Sequence, residues 1–232
     1  MTFPKHGRID CSICFNDNRP TKYVEDWKIN NDPGAWGSHN PEVLILGFSK
    51  GSTQAEIYES GDFEDVPFAG CRDRLTKVLK AVGILNEEEH IDEKISKNEK
   101  RIALGSLVRC SLTRKNSKTG NYETSGSLIN KSFKEIPEIV GNCTTEFLKE
   151  LPLSIKVVVL LGVDRNYIKN CKELFKETLD RNLIAVNDVS YKVNGKLFIH
   201  LAHPSPANGH LNSWLKDVNK YKDIRTLINE EK

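Results

Sequence analysis

The sequence predicts an α/β protein, a three-layer αβα sandwich around a central four-stranded parallel sheet. Four apolar segments are present, and three of them are runs of valine, isoleucine and leucine with little alternation. Such runs are typical of strands that are buried on both faces of a sheet. Helical apolar patterns lie between them, and this alternation favours parallel strands with helices on both faces. No linker or internal repeat interrupts the chain, so we expect residues 1–232 to form one domain.

The elements are predicted in chain order from their apolar period. The predicted strands span residues 42–48, 101–110, 155–162 and 195–203. The predicted helices span residues 71–85, 132–151 with interruptions at Pro137 and Gly141, 163–182 and 210–229. Ligands of such sheets bind at the carboxyl ends of the strands. This places residues 47–51, 110–114, 162–164 and 203–210 around one crevice.

Composition excludes some classes of protein. Hydrophobic residues make up 38% of the chain and charged residues 28%, as in an ordinary globular protein. No apolar run approaches the roughly 18 to 20 residues that span a bilayer, and the first ten residues lack the apolar core of a signal peptide. We therefore expect a cytoplasmic monomer without membrane contact.

The charge pattern leaves the partner open. The net charge is +2 and the pI is about 8.1, which does not by itself indicate nucleic acid. Arg114, Lys115 and Lys118 lie in the polar segment 112–122. This segment is interpreted either as a solvated loop or as a loop that contacts phosphate.

Six cysteines are unusual for a cytoplasmic chain, where disulfides are rare. Metal binding, redox chemistry or simple burial are the alternatives. Cys71 and Cys171 fall in predicted amphipathic helices and are expected in the core. The other four are candidate metal ligands: Cys11, Cys14, Cys110 and Cys143. Thiolates suit zinc and an iron–sulfur cluster equally, and the spacing does not decide between them.

Seven segments in order along the chain resemble a known family. They are "CSIC", "VLILGFSKG", "VPFAGCRDRLTKVLKAVGI", "GSLVRC", "NCTTEFLKEL", "VVVLLG" and "HPSP". Together they resemble the uracil-DNA glycosylase superfamily, and its iron–sulfur (family four) branch most closely. "GFSKG" falls where the family has its first active-site motif, and "HPSP" is similar to the second. The fold implied is uracil-DNA glycosylase-like.

The resemblance implies a [4Fe–4S] cluster on Cys11, Cys14, Cys110 and Cys143, with zinc as the alternative. In that branch the cluster is structural, so we expect no redox catalysis. The stretch between Cys110 and Cys143 looks like an insertion, and the basic residues Arg114, Lys115 and Lys118 within it imply an added DNA-facing loop.

The resemblance also implies DNA as partner and assigns roles around "HPSP". A glycosylase flips the nucleotide into a pocket, and a donor then stabilises the departing anionic base. His203 matches that donor, whereas the alternative is a histidine bonded only within its turn. Ser205 matches the contact to a flanking phosphate. Residues 207–211 follow where the family inserts a wedge into the duplex, and the candidates there are Asn208, His210 and Leu211.

The other half of the predicted site departs from the family. Phe68 matches the aromatic residue that stacks on the flipped base, although an ordinary core phenylalanine is the alternative. Phe48 stands where the family has an acidic residue, and Ser49 stands where related branches have a catalytic asparagine. Ser106 replaces the asparagine that reads uracil, so the base-binding set of Phe48, Phe68 and Ser106 predicts a wider pocket.

Several further residues complete the predicted site. Lys50 and Gly51 follow the first motif and are predicted to contact DNA. Glu56 is the catalytic carboxylate chosen from the acidic residues downstream, which also include Glu59, Asp62 and Asp65.

The function hypotheses follow from these matches and departures. The first is a monofunctional DNA glycosylase that excises a damaged or modified base, such as an altered phage pyrimidine in a defence role, and leaves an abasic site. The alternative is a catalytically inactive DNA-binding or lesion-sensing member. A third is an unrelated nucleotide- or metal-binding α/β protein, although "GFSKG" lacks the spacing of a phosphate-binding loop.

Overall fold

The computed structural model describes residues 3–15 and 19–231. The strands are β1 (Gly7–Arg8), β2 (Thr21–Val24), β3 (Trp27–Asn30), β4 (Gly34–Gly37), β5 (Val43–Gly47), β6 (Ile102–Ser106), β7 (Ser111–Lys115), β8 (Tyr122–Glu123), β9 (Val157–Leu161), β10 (Ile184–Ala185), β11 (Ser190–Val193) and β12 (Lys196–Leu201). The α-helices are α1 (Ser52–Ser60), α2 (Arg72–Ala81), α3 (Gly126–Glu135), α4 (Pro137–Leu148), α5 (Arg165–Thr178), α6 (Leu211–Lys216) and α7 (Val218–Glu231).

The main sheet has the strand order β1-β4-β6-β5-β9-β12-β11-β10. All four predicted strands are present as its centre, where β6, β5, β9 and β12 pair in parallel. The sheet is larger than the four-stranded sheet predicted, because antiparallel strands extend both edges. Each of these added strands has only two to four residues and no long apolar run, so apolar periodicity gives little signal for them.

Helices cover both faces of this sheet, so the protein has three layers. Along β5, Leu44 and Leu46 pack into one apolar core with residues of α4 and α5. Val43 and Ile45 pack into a second core with residues of α2, α6 and α7. Successive side chains of a strand point to opposite faces, and the apolar run without alternation is therefore needed to fill both cores.

A second sheet, with the order β2-β3-β7-β8, stands beside the first. It corrects two predictions. The predicted strand 101–110 ends at Ser106, and the segment 112–122, interpreted as a loop, contains the end of β7 and the start of β8. Trp27 and Ile29 of β3 are buried in the core, so this sheet is packed onto the domain.

The predicted helices are present, but they begin and end at other residues than predicted. Pro137 divides the predicted helix 132–151, since it opens α4 as a first-turn proline. Gly141 lies within α4 and does not interrupt it. The predicted helix 210–229 is divided at Asp217 into α6 and α7. None of the helices in the described residues is long and apolar enough to cross a membrane.

Candidate functional site

A cavity of about 870 Å³ opens at the carboxyl ends of the parallel strands. Each of the four central strands delivers residues to its wall: Gly47–Gly51 after β5, Ser106 at the end of β6, Gly162–Asp164 after β9, and His203 after β12. This is the edge at which the sequence predicts a crevice. The volume lies within the range of roughly 300–1,000 Å³ found for small-molecule sites.

His203 lies half-buried in this cavity. Its Nδ1 accepts a hydrogen bond from the backbone N–H of Ser205 at 3.1 Å. Burial lowers the pKa of His203 below its usual value, so the ring is neutral at pH 7. An accepting Nδ1 in a neutral ring places the hydrogen on Nε2. The bond within the turn therefore leaves His203 a donor at its other nitrogen.

The loop that follows His203 is held by Arg74 of α2, a residue that the sequence analysis did not select. Its Nε donates to the carbonyl oxygen of Pro204 at 2.7 Å, and its Nη2 donates to those of Ser205 and Asn208, each at 3.1 Å. The side chain of Asn208 donates to the carbonyl oxygen of His203 at 2.8 Å. Ser205, Asn208 and His210 all line the cavity. The sequence feature that could have indicated this role is an arginine in the first turn of α2, the helix that faces the loop.

The predicted base-binding residues lie together at the ends of β5 and β6. Ser106 pairs in register with Gly47. A Cβ atom at Gly47 would lie 3.5 Å from Cε1 of Phe68, so the phenylalanine ring packs on this glycine. Phe68 has a φ of 54°, in the left-handed region that non-glycine residues rarely adopt. Such strain is typical of functional sites.

Phe48 contributes to the cavity wall and also to the core. It is 4% exposed, and its ring lies 5.5 Å from that of Phe133 and 6.1 Å from that of Tyr167. An apolar residue at this position is therefore packed against α3 and α5. Ser49 follows it, half-buried on the cavity wall.

The predicted carboxylate and the carboxylate in the cavity are different residues. Glu56 is exposed on α1 and is not part of the cavity wall. Among the described residues that line the cavity, the only carboxylate is that of Asp164, which the sequence analysis placed in the crevice without giving it a role. Asp164 caps α5, where its Oδ1 accepts from the side chain of Asn130 and the backbone N–H of Tyr167, each at 3.0 Å. These bonds lower the pKa of Asp164, so it stays ionised.

The two residues that follow Ser49 differ in their access to DNA. Gly51 lies on the cavity wall as the cap of α1. The Nζ of Lys50 is buried, where it lies 3.4 Å from Oδ1 of Asp32 and donates to the carbonyl oxygen of Arg109. Burial lowers the pKa of Lys50, and Asp32 opposes that shift. A phosphate cannot reach this ammonium group, so Lys50 does not remain among the proposed DNA contacts.

The insertion between Cys110 and Cys143 forms one wall of the cavity. Residues 124–130, from the end of β8 into α3, line it with hydroxyl and amide groups. Within the insertion, Arg114 is paired with Asp26 at 3.0 Å and Glu135 at 2.9 Å. Its charge is thus used to hold the second sheet to α3. Lys115 is exposed at the end of β7.

Charges among the four candidate metal ligands influence the pKa values of Cys14, Cys110 and Cys143. Burial, together with the charges of Cys14 and Cys11, raises the pKa of Cys143 to about 12. Burial likewise raises the pKa of Cys110, with Cys143 as the next cause. In the described residues, no three His, Cys, Asp or Glu side chains form a group that could hold one metal ion.

N–H groups stabilise the negative charge on three of these sulfurs. Cys14 accepts from the side chain of Asn142 at 3.6 Å. The backbone N–H of Asp32 opposes the rise in the pKa of Cys110, and the backbone N–H of Arg109 opposes that of Cys143. Bonds of this kind stabilise thiolates and tune metal–thiolate centres. The donor chemistry of these sulfurs therefore fits a metal–thiolate centre.

The remaining two cysteines are separate from this group. Cys171 is fully buried in α5, as predicted. Cys71 differs from the prediction, because it caps α2 and lines the cavity, with its Sγ donating to the carbonyl oxygen of Phe68 at 3.2 Å.

The uracil DNA glycosylase superfamily model matches residues 35–225. The chain therefore belongs to the uracil DNA glycosylase superfamily, whose members are typically DNA glycosylases and act on DNA. A search of curated proteins finds no match.

Proposed function

We propose that this protein is a monofunctional DNA glycosylase that flips a modified base out of DNA and hydrolyses its N-glycosidic bond, leaving an abasic site. The observation that carries the proposal is the neutral His203, which lies on the same cavity as Phe68 and Ser106 with its hydrogen on Nε2. A donor at that position is what an anionic leaving base requires.

The flipped base stacks on Phe68 and lies against Gly47 and Ser106. Stacking of a base on an aromatic ring contributes about 1–3 kcal/mol. Nε2–H of His203 donates to the base carbonyl oxygen, where negative charge develops as the glycosidic bond breaks. The loop clamped by Arg74 keeps the imidazole in place, so no reorganisation is needed as that charge develops.

The sugar side of the reaction requires a second group. The sugar carries positive charge in the transition state, and an ionised carboxylate stabilises such a charge or orients water. Phe48 cannot do either, and Glu56 lies outside the cavity wall. Asp164 is ionised, lines the cavity and has a second oxygen beyond its capping bonds. We assign it this role, with Ser49 as a hydroxyl that holds the water.

The substrate in this proposal is a base bulkier than uracil. Ser106 offers one short hydroxyl where an asparagine side chain would fill the pocket, and the cavity of about 870 Å³ exceeds what an unmodified pyrimidine needs. The wall formed by residues 124–130 offers hydroxyl and amide groups to a polar substituent. A modified phage pyrimidine fits these features, which would make the protein a defence enzyme rather than a repair enzyme.

DNA outside the cavity is bound by the loops around it. Ser205 contacts a phosphate beside the flipped nucleotide, and residues 207–210 enter the duplex, with Asn208 and His210 at the cavity edge. Leu211 is 1% exposed in the core and is therefore not a wedge residue. The backbone of Gly51 and the exposed Lys115 contribute further phosphate contacts. Contacts of this kind position the protein without reading sequence.

Cys11, Cys14, Cys110 and Cys143 hold a [4Fe–4S] cluster in this proposal, with a zinc ion as the alternative. When bound, such a centre cross-links the chain segments that carry its ligands. It takes no part in the hydrolysis. Cys110 directly precedes β7, so the centre braces the second sheet and the insertion that forms the cavity wall.

A second candidate function is a catalytically inactive lesion binder. Phe48, at the position of the usual acid, is the observation that favours it. The two functions differ in the products of incubation with DNA, because only the glycosylase generates abasic sites.

The test is base-release mass spectrometry on a panel of DNAs that contains uracil, hypoxanthine, modified cytosines and natural phage DNA. The glycosylase proposal expects release of one base class and strand breaks after alkali. His203→Ala should reduce release by roughly a hundredfold or more and leave most DNA affinity intact, because phosphate contacts dominate it. His39→Ala, at an exposed histidine, is the matched control. Tight binding without release from any DNA would favour the inactive binder.

A further inference from the structure

Arg109 is the most unusual buried group in the described residues. It is 1% exposed. Its three guanidinium nitrogens, Nε, Nη1 and Nη2, are buried and have no hydrogen-bond partner among the residues that the structure describes. A buried charge is costly unless it is paired and hydrogen-bonded, and native proteins contain few such groups.

The surroundings of Arg109 are shaped to accept this side chain. A Cβ atom at Gly105 would lie 1.7 Å from Nη1, so any side chain there would displace the guanidinium from its present position. The guanidinium carbon lies 5.1 Å from the centre of the Phe147 ring. A ring face attracts a cation, but it does not accept the bonds of several N–H groups. The pocket thus holds the guanidinium in place while its donors lack an acceptor among the described residues, and an anionic acceptor would also balance its charge.

The candidate anion is on the same side of the molecule. Arg109 directly precedes Cys110, and the Phe147 ring that its guanidinium faces lies one turn after Cys143 on α4. Lys50, the other buried cation here, is already paired with Asp32, so it does not substitute for Arg109.

We propose that Arg109 is the counter-cation of an anionic metal–thiolate centre held by Cys11, Cys14, Cys110 and Cys143, and that its N–H groups donate to the sulfurs of that centre. Four thiolates outweigh the two positive charges of either Zn²⁺ or an oxidised [4Fe–4S] core, so both centres are net anions. The inference rests on the proposed metal centre and is independent of base release.

The charge of Arg109 makes two effects measurable. It stabilises the bound centre against loss of metal. In an iron–sulfur centre it also favours the reduced state, since reduction adds a negative charge beside the guanidinium, and net charge and hydrogen bonds to sulfur set the potential. A zinc centre shows only the first effect because zinc has no redox chemistry.

The experiment compares the full chain with Arg109→Met and Arg109→Lys, all purified without oxygen. Arg181→Met, at an exposed arginine, is the matched control. Metal content is measured by elemental analysis, and metal release by colorimetric chelators for iron and for zinc. An iron-loaded protein is also titrated by spectroelectrochemistry.

We expect Arg109→Met to release its metal roughly tenfold faster or more, as for a buried ion that loses its partner. An iron-loaded Arg109→Met should have a more negative reduction potential, Arg109→Lys an intermediate one, and Arg181→Met an unchanged one. Arg109→Lys keeps the charge, so it supplies the comparison if Arg109→Met does not fold by circular dichroism.

Three results would overturn the inference. They are a wild-type protein that is folded but free of iron and zinc, equal metal release from all variants, and an iron-loaded Arg109→Met with an unchanged potential. If the purified protein contains zinc, and the rate of zinc release depends on Arg109, the inference is supported for a zinc centre. Base release by the same samples is scored separately, so a failed glycosylase proposal stays distinguishable from a failed role for Arg109.

Discussion

The backbone N–H of Ser205 donates to Nδ1 of His203 at 3.1 Å, and this single bond decides which ring nitrogen carries the hydrogen. The turn that places the histidine at the cavity is thus also the device that orients it. Pro204 and Pro206 limit the conformations of this turn, and Arg74 holds three of its carbonyl groups.

The first prediction concerns pH. Burial lowers the pKa of His203, so the ring stays neutral down to pH values below its usual pKa of about 6.5. Protonation of Nδ1 removes the acceptor of Ser205 and alters the ring. We expect single-turnover base release to be constant from pH 8 to about 6.5 and to fall only at lower pH. Asp164 has a lowered pKa, so it does not produce this acid limb. A maximum near pH 5 would contradict a neutral His203.

The second prediction concerns Asp164. Asn caps a helix about as well as Asp, so Asp164→Asn should leave the melting temperature nearly unchanged. It removes the negative charge from the cavity, and we expect base release to fall by roughly a hundredfold. The measurement is single-turnover release on the base that the panel identifies. Glu56→Gln is the control and should retain full activity, because Glu56 is exposed on α1. Full activity in Asp164→Asn together with a large loss in Glu56→Gln would instead support the catalytic role predicted for Glu56 from the sequence.

The third prediction concerns substrate choice. Ser106 ends β6 beside Gly47 on the cavity wall. Ser106→Asn adds bulk and a two-sided amide there, so we expect release of the bulky base to fall about tenfold or more relative to release of smaller bases. The same base panel measures this ratio. Ser213→Asn, at an exposed serine of α6, should leave the ratio unchanged. An unaltered ratio in Ser106→Asn would place the base elsewhere in the cavity.

The fourth prediction concerns the clamp on the loop. Arg74→Met removes three hydrogen bonds to carbonyl oxygens without changing any residue of the loop itself. A misplaced His203 should lower kcat roughly ten- to a hundredfold, whereas a purely structural role would lower only the melting temperature. Lys77→Met, at an exposed lysine of the same helix, is the control. Both kcat and thermal unfolding are measured on each variant.

Sequence reasoning succeeded where the pattern is local and long. The buried apolar runs of β5, β9 and β12 and the amphipathic period of α2 and α5 are each contained in one segment. It was incomplete at β1 and β10, each of two residues, because their pairing rather than their composition makes them strands. The end of β7 was interpreted as a loop for the same reason, since its partner β3 lies far away in the chain.

The features of the candidate site also fall into those that the sequence indicates and those that only the tertiary structure reveals. The sequence by itself determined that "HPSP" follows a strand and that four cysteines occur in the order of a known family. Tertiary structure decided which charges face the cavity. It buried Lys50 against Asp32 and paired Arg114 with Asp26 and Glu135, whereas it left Asp164 on the cavity wall. The physical reason is that an ionic role depends on burial and on partners from distant segments, and neither is recorded in the local order of residues.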